Sequence, residues 1–325
     1  MLNKLYSKII KFLKNNITKL LIIIFLLVLF NFKLPYYIEK PGDLKNLNHK
    51  IIVENEYESK GTLNLTYVLQ KDATIFNYIG SLFEKNSKLI KKEKNVEENI
   101  QNLNKQSILS LKNSYNTACY VANKKNNNKD ILNNFNYYIS NVENINTNLE
   151  IGDKIISIDG YKIEQIEQIK EIIGNYESSI EIEIIVNENE KKFIKLENGK
   201  LGISVIKIYD CKNVKFDFKN NESGGSGGLM IALSIYDKLI KTDLTGGKKI
   251  AGTGTIDIKG NIGDISGVSY KLIGAAKNKA DIFFVPKENY NEALVTKNEN
   301  KLNIEIVEVN TFDDALNYLL NNVHN

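Results

Sequence analysis

The segment Gly224-Gly225-Ser226-Gly227-Gly228, which runs directly into Leu229-Met230-Ile231-Ala232-Leu233-Ser234-Ile235-Tyr236, decides how this sequence is interpreted. The second part has the apolar pattern of a helix. A serine on a glycine-rich turn at a helix N-terminus exposes its hydroxyl beside free backbone N–H groups, which can receive negative charge. Such a turn supplies a nucleophile together with an oxyanion site. The same composition is also typical of a flexible linker.

The neighbouring sequence favours the nucleophile over the linker. A linker separates units of different composition, but here an apolar helix begins immediately at Leu229. Strand-like segments lie on both sides, at 202–206, 214–218 and 248–258. A phosphate-binding loop does not fit, because the pattern Gly-x-x-x-x-Gly-Lys-Ser/Thr is absent.

Composition excludes several classes of function. The 325 residues are enough for two or three folded units, and 43 basic residues nearly balance 39 acidic ones. All the basic residues are Lys, and the absence of Arg argues against nucleic-acid partners. Neither Cys119 nor Cys211 has a Cys or His at metal-ligand spacing, so we expect no metal and no other cofactor. A disulfide between them is left open.

The two histidines do not suit an active site, since His49 follows the apolar N-terminal segment and His324 is the penultimate residue. A serine nucleophile then needs another base, and a neutral lysine can serve. Lys271 lies in the first turn of a predicted helix from Ser269 to about Lys279, among apolar neighbours whose packing would lower its pKa. The chain has many lysines, and most lysines at a helix start are solvated, so these residues alone do not select Lys271.

The N-terminus has the pattern of a membrane anchor. Residues 17–34 are apolar, with an unbroken run from Leu20 to Phe30, and five lysines but no acidic residue precede the run. This charge asymmetry predicts a single-pass helix in the cell membrane, with residues 1–16 as a basic cytoplasmic segment and the rest of the chain extracytoplasmic. A cleaved signal peptide is the alternative, but no small-residue cleavage site follows the run.

Residues 124–197 resemble a PDZ domain of the bacterial, protease-associated kind. The resemblance rests on the run Ile151-Gly152-Asp153-Lys154-Ile155-Ile156-Ser157-Ile158-Asp159-Gly160 and on the helical spacing from Ile163 to Ile173. It implies a peptide groove between the strand Phe135–Val142 and that helix. A small domain without a ligand is the alternative. We expect residues 35–123 to form a β/α region packed with the PDZ-like domain.

Residues 198–325 resemble the proteolytic domain of the Lon protease family, and the whole chain resembles membrane-anchored PDZ–Lon-like proteases of low-GC bacteria. The family's Gly-Pro-Ser-Ala-Gly corresponds to residues 224–228. Its Thr-Gly-x-Ile matches residues 253–256, and its Gly-Gly-x-x-x-Lys matches residues 266–271. The resemblance implies that Ser226 is the nucleophile and Lys271 the general base, with the hydroxyl of Thr253 near the lysine amine.

The sequence departs from the family pattern at three positions, since Gly225 and Gly227 replace Pro and Ala, and Ser266 replaces Gly. The two glycines are expected to loosen the turn that carries Ser226, at a cost in backbone entropy. They are therefore supporting residues of the predicted site and also its weakest point.

The sequence thus predicts an α+β protein with an N-terminal transmembrane helix, a PDZ-like domain and a Lon-protease-type α+β domain. The predicted function is an ATP-independent serine endopeptidase that uses a Ser–Lys dyad on exported or membrane proteins bound in extended form. The PDZ-like domain would recognise substrates or gate the site. The alternative is a membrane-bound PDZ adaptor with an inactive protease domain. The pattern leaves open a homo-oligomer.

Overall fold

The computed structural model describes residues 2–54, 56–92, 97–128, 134–143, 147–174, 181–187, 189–196, 200–219, 224–240 and 242–323. The fold is mixed α+β and has one apolar helix at its N-terminus. It divides into a first unit of residues 1–42 and 67–94 and a second unit of residues 43–66 and 95–325.

The helices of the described residues are α1 (Leu2–Asn31), α2 (Ile75–Ser81), α3 (Glu97–Lys125), α4 (Ile166–Gly174), α5 (Gly228–Leu239), α6 (Val268–Lys277), α7 (Lys287–Glu299) and α8 (Phe312–Asn322). The strands are β1 (Lys33–Asn46), β2 (Ile51–Val53), β3 (Thr62–Thr74), β4 (Lys88–Lys91), β5 (Phe135–Val142), β6 (Lys154–Ile158), β7 (Tyr161–Lys162), β8 (Glu181–Val186), β9 (Glu190–Lys195), β10 (Ile203–Tyr209), β11 (Val214–Phe216), β12 (Lys249–Gly252), β13 (Thr255–Ile256), β14 (Ile262–Gly263), β15 (Ile282–Pro286) and β16 (Glu305–Val309).

The first unit contains α1, whose part Ile10–Asn31 is the one described helix long and apolar enough to cross a membrane. The predicted anchor, residues 17–34, extends too far, because the helix ends at Asn31 and Lys33 already begins β1. Pro35 is a physical reason for this early end, since a proline disfavours helical conformation in the residue before it and has no N–H to donate.

Strands β3, β1 and β4 are neighbours in that order, and β1 pairs with β4 antiparallel, with Tyr37 opposite Ile90. The polar sequence around residues 85–105 is typical of a solvated helix or loop, but the structure places β4 there and begins α3 at Glu97. The two adjacent apolar residues Leu89 and Ile90 show no alternation and are too few to predict this short strand.

The second unit is built on parallel strands in the order β16-β15-β12-β3. Both faces are covered, as is usual for parallel sheets. Ile250 and Phe284 face a core that includes α3, α5 and α8, whereas Ala251 and Phe283 face a core made with α6 and α7. Helix α8 begins with the capping box predicted from the sequence: Thr311 and Asp314 each bond the other's backbone N–H.

The core around α5 also takes residues from the N-terminal half of the chain. Strand β3 pairs with β12, β2 pairs with β11, and α3 packs along α5. Cys119 of α3 is joined by a disulfide to Cys211, with their Cα atoms 6.2 Å apart. The prediction that residues 35–123 pack with the PDZ-like domain is therefore incomplete, because much of that region completes the domain that carries Ser226.

A separate antiparallel sheet of the second unit has the strand order β10-β5-β6-β8-β9, with β7 paired to β6. Its core includes Ile169 and Ile173 of α4. The sheet extends past residue 197, where the sequence predicts a boundary, because β10 pairs along the whole of β5. The predicted groove beside β5 is wrong: β5 is paired on both sides, by β10 and β6, and has no free edge for a peptide.

The segment from 248 to 258, which its alternating pattern predicts as one strand, forms two strands, and only the second is the arm of a hairpin. Strand β12 joins the parallel sheet, and the chain turns at Thr253 and Gly254 before β13 pairs with β14. Gly254 has φ +151°, a conformation that favours glycine. This break places Thr253 at the carboxyl end of a buried parallel strand.

Candidate active site

Ser226 lies on the turn of residues 224–227 that leads into α5. The helix is almost entirely apolar and is buried over most of its length, so its position in the core fixes the turn before it. Gly224 has φ +107°, which only glycine adopts without strain. The N–H of Gly224 donates to the carbonyl oxygen of Ser107 on α3, 3.3 Å away. The turn is therefore tied to two helices and is not a linker.

Lys271 lies in the first turn of α6, and its Nζ is 2.9 Å from Ser226 Oγ. The side chain is buried beside Val268, Leu272 and Ala275, which belong to the apolar core under the sheet. Burial lowers the pKa of Lys271 to about 8. Among the described residues, no carboxylate forms an ion pair with this amine. A substantial neutral fraction at ordinary pH is what a general base requires.

Thr253 connects the lysine to the turn. Its Oγ1 is 3.2 Å from Lys271 Nζ and donates to the carbonyl oxygen of Ser226 at 3.0 Å. The N–H of Gly254 donates to the same carbonyl oxygen at 2.7 Å. Because the Thr253 hydroxyl proton is used by the Ser226 carbonyl, its lone pairs face the amine. An N–H of Lys271 can then point to Thr253 and leave the nitrogen lone pair directed at Ser226 Oγ.

Gly225 is held by a residue that the sequence alone did not single out. Ser114 of α3 is buried, and its Oγ donates to the carbonyl oxygen of Gly225 at 3.0 Å. In a trans peptide the C=O of one residue and the N–H of the next point in opposite directions. The bond from Ser114 therefore also fixes the direction of the Ser226 N–H.

A sequence signal for this contact exists, since Ser107, Ser110 and Ser114 lie at helical spacing on one face of α3. All three contact the turn: Ser107 through its carbonyl, Ser114 through its hydroxyl, and Ser110 by lying beside Gly225. A stripe of serines on a helix, however, usually indicates a solvated face, so the signal does not stand out without the structure.

The backbone N–H groups at the start of α5 are candidate donors for an oxyanion. Within the part of the chain that the structure describes, the N–H groups of Ser226 and Gly227 have no hydrogen-bond partner. The N–H of Gly228 is directed at the carbonyl oxygen of Gly225 at 3.4 Å. Unpaired N–H groups at a helix N-terminus beside a hydroxyl are an arrangement that stabilises developing negative charge.

The structure also explains why glycine is present at residue 227. A Cβ at this position would lie 2.8 Å from a terminal methyl carbon of Leu65, on β3. Leu65 fills the space that an alanine side chain would take. The two supporting glycines therefore differ in their surroundings: Gly225 is anchored by the bond from Ser114, and Gly227 is packed against an apolar side chain.

The other candidate groups lie away from this cluster or outside the described residues. His49 is exposed in the turn after β1, and His324 lies outside the described residues. Both cysteines are used in the disulfide. The described residues contain no group of three or more His, Cys, Asp or Glu that could hold a metal ion. The polar groups that the structure brings together at this turn are Ser226, Lys271, Thr253 and backbone N–H groups.

Comparisons with known proteins point to the same part of the chain. Residues 217–322 match the family model of the Lon protease (S16) C-terminal proteolytic domain. The Lon protease of Campylobacter jejuni is 31% identical over 147 residues, which cover 43% of this chain and 17% of that protein. Lon protease 2 of Borreliella burgdorferi is 27% identical over 143 residues, covering 39% of this chain and 17% of the relative.

The Lon protease of Mesomycoplasma hyopneumoniae is 23% identical over 207 residues, or 54% of this chain and 23% of the relative. The matches thus span about a fifth of the length of these relatives. The family match and the names of the relatives support a serine peptidase, and the match includes both Ser226 and Lys271.

Proposed function

We propose that the chain is a membrane-anchored serine endopeptidase that uses Ser226 and Lys271 as a catalytic dyad and needs no ATP. The observation that carries the proposal is the 2.9 Å contact between Ser226 Oγ and the buried amine of Lys271. A lysine kept partly neutral by burial can accept the serine proton, and this chemistry is an accepted variant of the serine triad.

In the proposed reaction the neutral Nζ of Lys271 takes the proton from Ser226 Oγ as the oxygen bonds to the scissile carbonyl carbon. The negative charge on the carbonyl oxygen is received by backbone N–H groups at Ser226 and Gly227. The ammonium then gives its proton to the leaving amine as the C–N bond breaks, which leaves an acyl ester on Ser226. Water, deprotonated by the neutral Lys271, releases the second product and regenerates the hydroxyl.

The proposed localisation has α1 crossing the cell membrane, the N-terminus in the cytoplasm and the catalytic domain outside. Five lysines precede the apolar segment and no acidic residue does, which favours a cytoplasmic N-terminus. The disulfide between Cys119 and Cys211 supports an extracytoplasmic location, because disulfides persist in oxidising compartments.

The antiparallel sheet and α4 are proposed to act as a PDZ-like peptide-binding domain, with the groove beside β10. This strand is at the edge of the sheet, and a cavity of about 600 Å³ lies between it and α4. The lining includes Ile169 and Ile173 from the helix and Ile203 and Val205 from the strand. An extended peptide can add to an edge strand and place alternate side chains on such an apolar helix face.

The charges at this groove favour a peptide C-terminus as the ligand. Lys170 and Lys200 both line the cavity, together with a single acidic residue, Glu143. An amine near the end of a groove can pair with a terminal carboxylate. Recognition of exported or membrane proteins through their C-terminal segments is therefore part of the proposal.

The test is degradation of a labelled, unfolded protein by the full-length chain in detergent without ATP. Cleavage is expected for the parent, at least about 10³-fold slower cleavage for Ser226→Ala and Lys271→Ala, and parental activity for Lys277→Ala, an exposed lysine of the same helix. Equal cleavage by all variants would refute the dyad. No cleavage by the folded parent would instead favour the inactive adaptor.

A further inference from the structure

We propose that α2 and the two residues after it form a second membrane contact, dipping into the outer leaflet beside the end of α1. This inference rests on the proposed anchoring by α1. The surface is defined by Phe76, Ile79, Leu82 and Phe83, and we call it the α2 apolar patch.

The α2 apolar patch exposes more apolar side-chain surface than is usual for a turn that faces water. Phe76 is 52% exposed, Ile79 50%, Leu82 61% and Phe83 86%. These residues share one side of a short helix and its C-terminal turn, while Ser81 is buried and Tyr78 contacts Tyr36 of β1. A contiguous apolar surface of this kind marks an interaction site, not ordinary surface variation.

The contact with α1 identifies the occupant as lipid. The rings of Phe76 and Phe30 have their centroids 4.5 Å apart, and Phe30 lies in the last turn of the apolar stretch Ile10–Asn31. A helix that spans a bilayer has its last apolar turn at the boundary between hydrocarbon and headgroups. The α2 apolar patch is therefore continuous with the lipid-facing surface of α1 and lies at the depth where aromatic residues are enriched.

The charges around the patch fit headgroups. Lys71, Lys85 and Lys88 lie close to it in the sequence and are exposed. Lys33, the first residue of β1, is paired with Asp72, 2.7 Å away, just beyond the end of α1. Charged groups, mostly lysines but including Glu84, thus flank an apolar centre in the sequence, as in an interfacial membrane-binding surface. A bilayer offers hydrocarbon to the apolar side chains and headgroups to the charged ones. A second protein, in contrast, would have to cover four apolar side chains beside the membrane.

The chain contains no Trp, so single tryptophans can report the depth of each position. Four variants of the full-length chain are reconstituted in phosphatidylcholine vesicles with acyl chains brominated near the headgroup end. Phe83→Trp probes the α2 apolar patch. Phe25→Trp, in α1, probes the anchor. Phe193→Trp, in β9 and 53% exposed, is the matched control for an aromatic outside the first unit. Leu82→Trp repeats the patch measurement at a second position.

The inference predicts that brominated lipid quenches the emission of Phe83→Trp and Leu82→Trp by at least about twofold and leaves Phe193→Trp unchanged. Quenching of Phe25→Trp without quenching of either patch variant would overturn the inference and leave the anchor intact; protein, including a second copy of the chain, would then cover the patch. If Phe25→Trp is not quenched either, the proposed anchor fails and the inference fails with it.

Discussion

Two buried lysines in different regions of this molecule, Lys271 and Lys192, have pKa values that are shifted in opposite directions. Among the described residues, the amine of Lys271 in α6 has two hydroxyl groups as hydrogen-bond partners, and burial lowers its pKa to about 8. Lys192 in β9 is also buried, but its Nζ is 2.9 Å from a carboxylate oxygen of Asp153. Burial alone would lower the pKa of Lys192, yet the hydrogen bond and charge of Asp153 outweigh it and raise that pKa.

The comparison teaches that burial does not by itself make a lysine a base. A buried ammonium with a carboxylate partner stays charged and closes a loop of the antiparallel sheet, where Asp153 also bonds Asn187 and the N–H of Glu150. A buried amine beside hydroxyls gains no such compensation and releases its proton more easily. The partner therefore decides whether a buried lysine stays charged or loses its proton more easily.

The largest expected effect comes from removing the unpaired lysine. Lys271→Met should slow cleavage of an unfolded protein by at least about 10³-fold, because Ser226 then has no proton acceptor. The same variant should remain folded, since Met replaces a buried lysine of similar length without a charge. A folded Lys271→Met that keeps more than a tenth of the parental rate would contradict the assignment.

The next effect is on stability. Asp153→Asn removes the buried carboxylate beside Lys192 and leaves only the exposed Glu190, 3.6 Å away; breaking a buried pair in this way typically costs about 3–5 kcal/mol. Denaturant unfolding of the antiparallel sheet should show the loss. Glu164→Gln, which removes an exposed pair with Lys162, is the control and should leave unfolding unchanged. Equal stability of Asp153→Asn and the parent would contradict a stabilising role for the buried pair of Lys192 and Asp153.

A smaller effect is expected at Ser114. Ser114→Ala frees the Gly225 carbonyl and lets the Ser226 N–H lose its direction, so kcat should fall about tenfold with KM unchanged. The pH dependence of kcat should stay the same, because Lys271 is untouched. Ser107→Ala, which keeps its bond through the carbonyl, should behave as the parent, and Ser114→Thr should recover most of the rate. An equal change in KM and kcat would indicate a general loss of structure.

The smallest effect is expected at Gly227. Gly227→Ala introduces a Cβ against the terminal methyl of Leu65, which can move, so we expect a loss of only a few-fold in kcat, or about 1 kcal/mol. Leu65→Val in the same chain removes that contact and should restore the rate. A large loss in Gly227→Ala that Leu65→Val does not reverse would show that residue 227 needs glycine for its backbone conformation and not for space.

The sequence predicted the elements of the site better than their context. The turn at residues 224–228 and the helix after it are local patterns that periodicity reveals, whereas Lys271, 45 positions further on, was singled out only by the resemblance to the Lon family. The break in the strand-like segment from 248 to 258 could not be predicted in this way. Alternation from 248 to 258 predicts a strand but does not say that it breaks at Thr253 to join two sheets.

Long-range packing explains the remaining differences. Whether a strand has a free edge depends on its neighbours, so the pattern of Phe135–Val142 could not reveal that β10 covers it. Ser114 acts on a glycine 111 positions away, through a helix whose own pattern indicates only an apolar face. The partner of a buried lysine cannot be identified from the local sequence pattern either, since Lys192 and Asp153 are 39 residues apart.

The measurement that tests the central claim most directly is the pH dependence of kcat/KM for an unfolded protein, from pH 6 to about pH 10. Lys271 must be neutral to accept the proton, so the rate should be low when the amine is charged, rise through a midpoint near its pKa of about 8, and then level off. Asp153→Asn should not move this midpoint, because Lys192 takes no part in the reaction. A rate that does not change across this range, or that rises only near the ordinary lysine pKa of 10.5, would contradict the account.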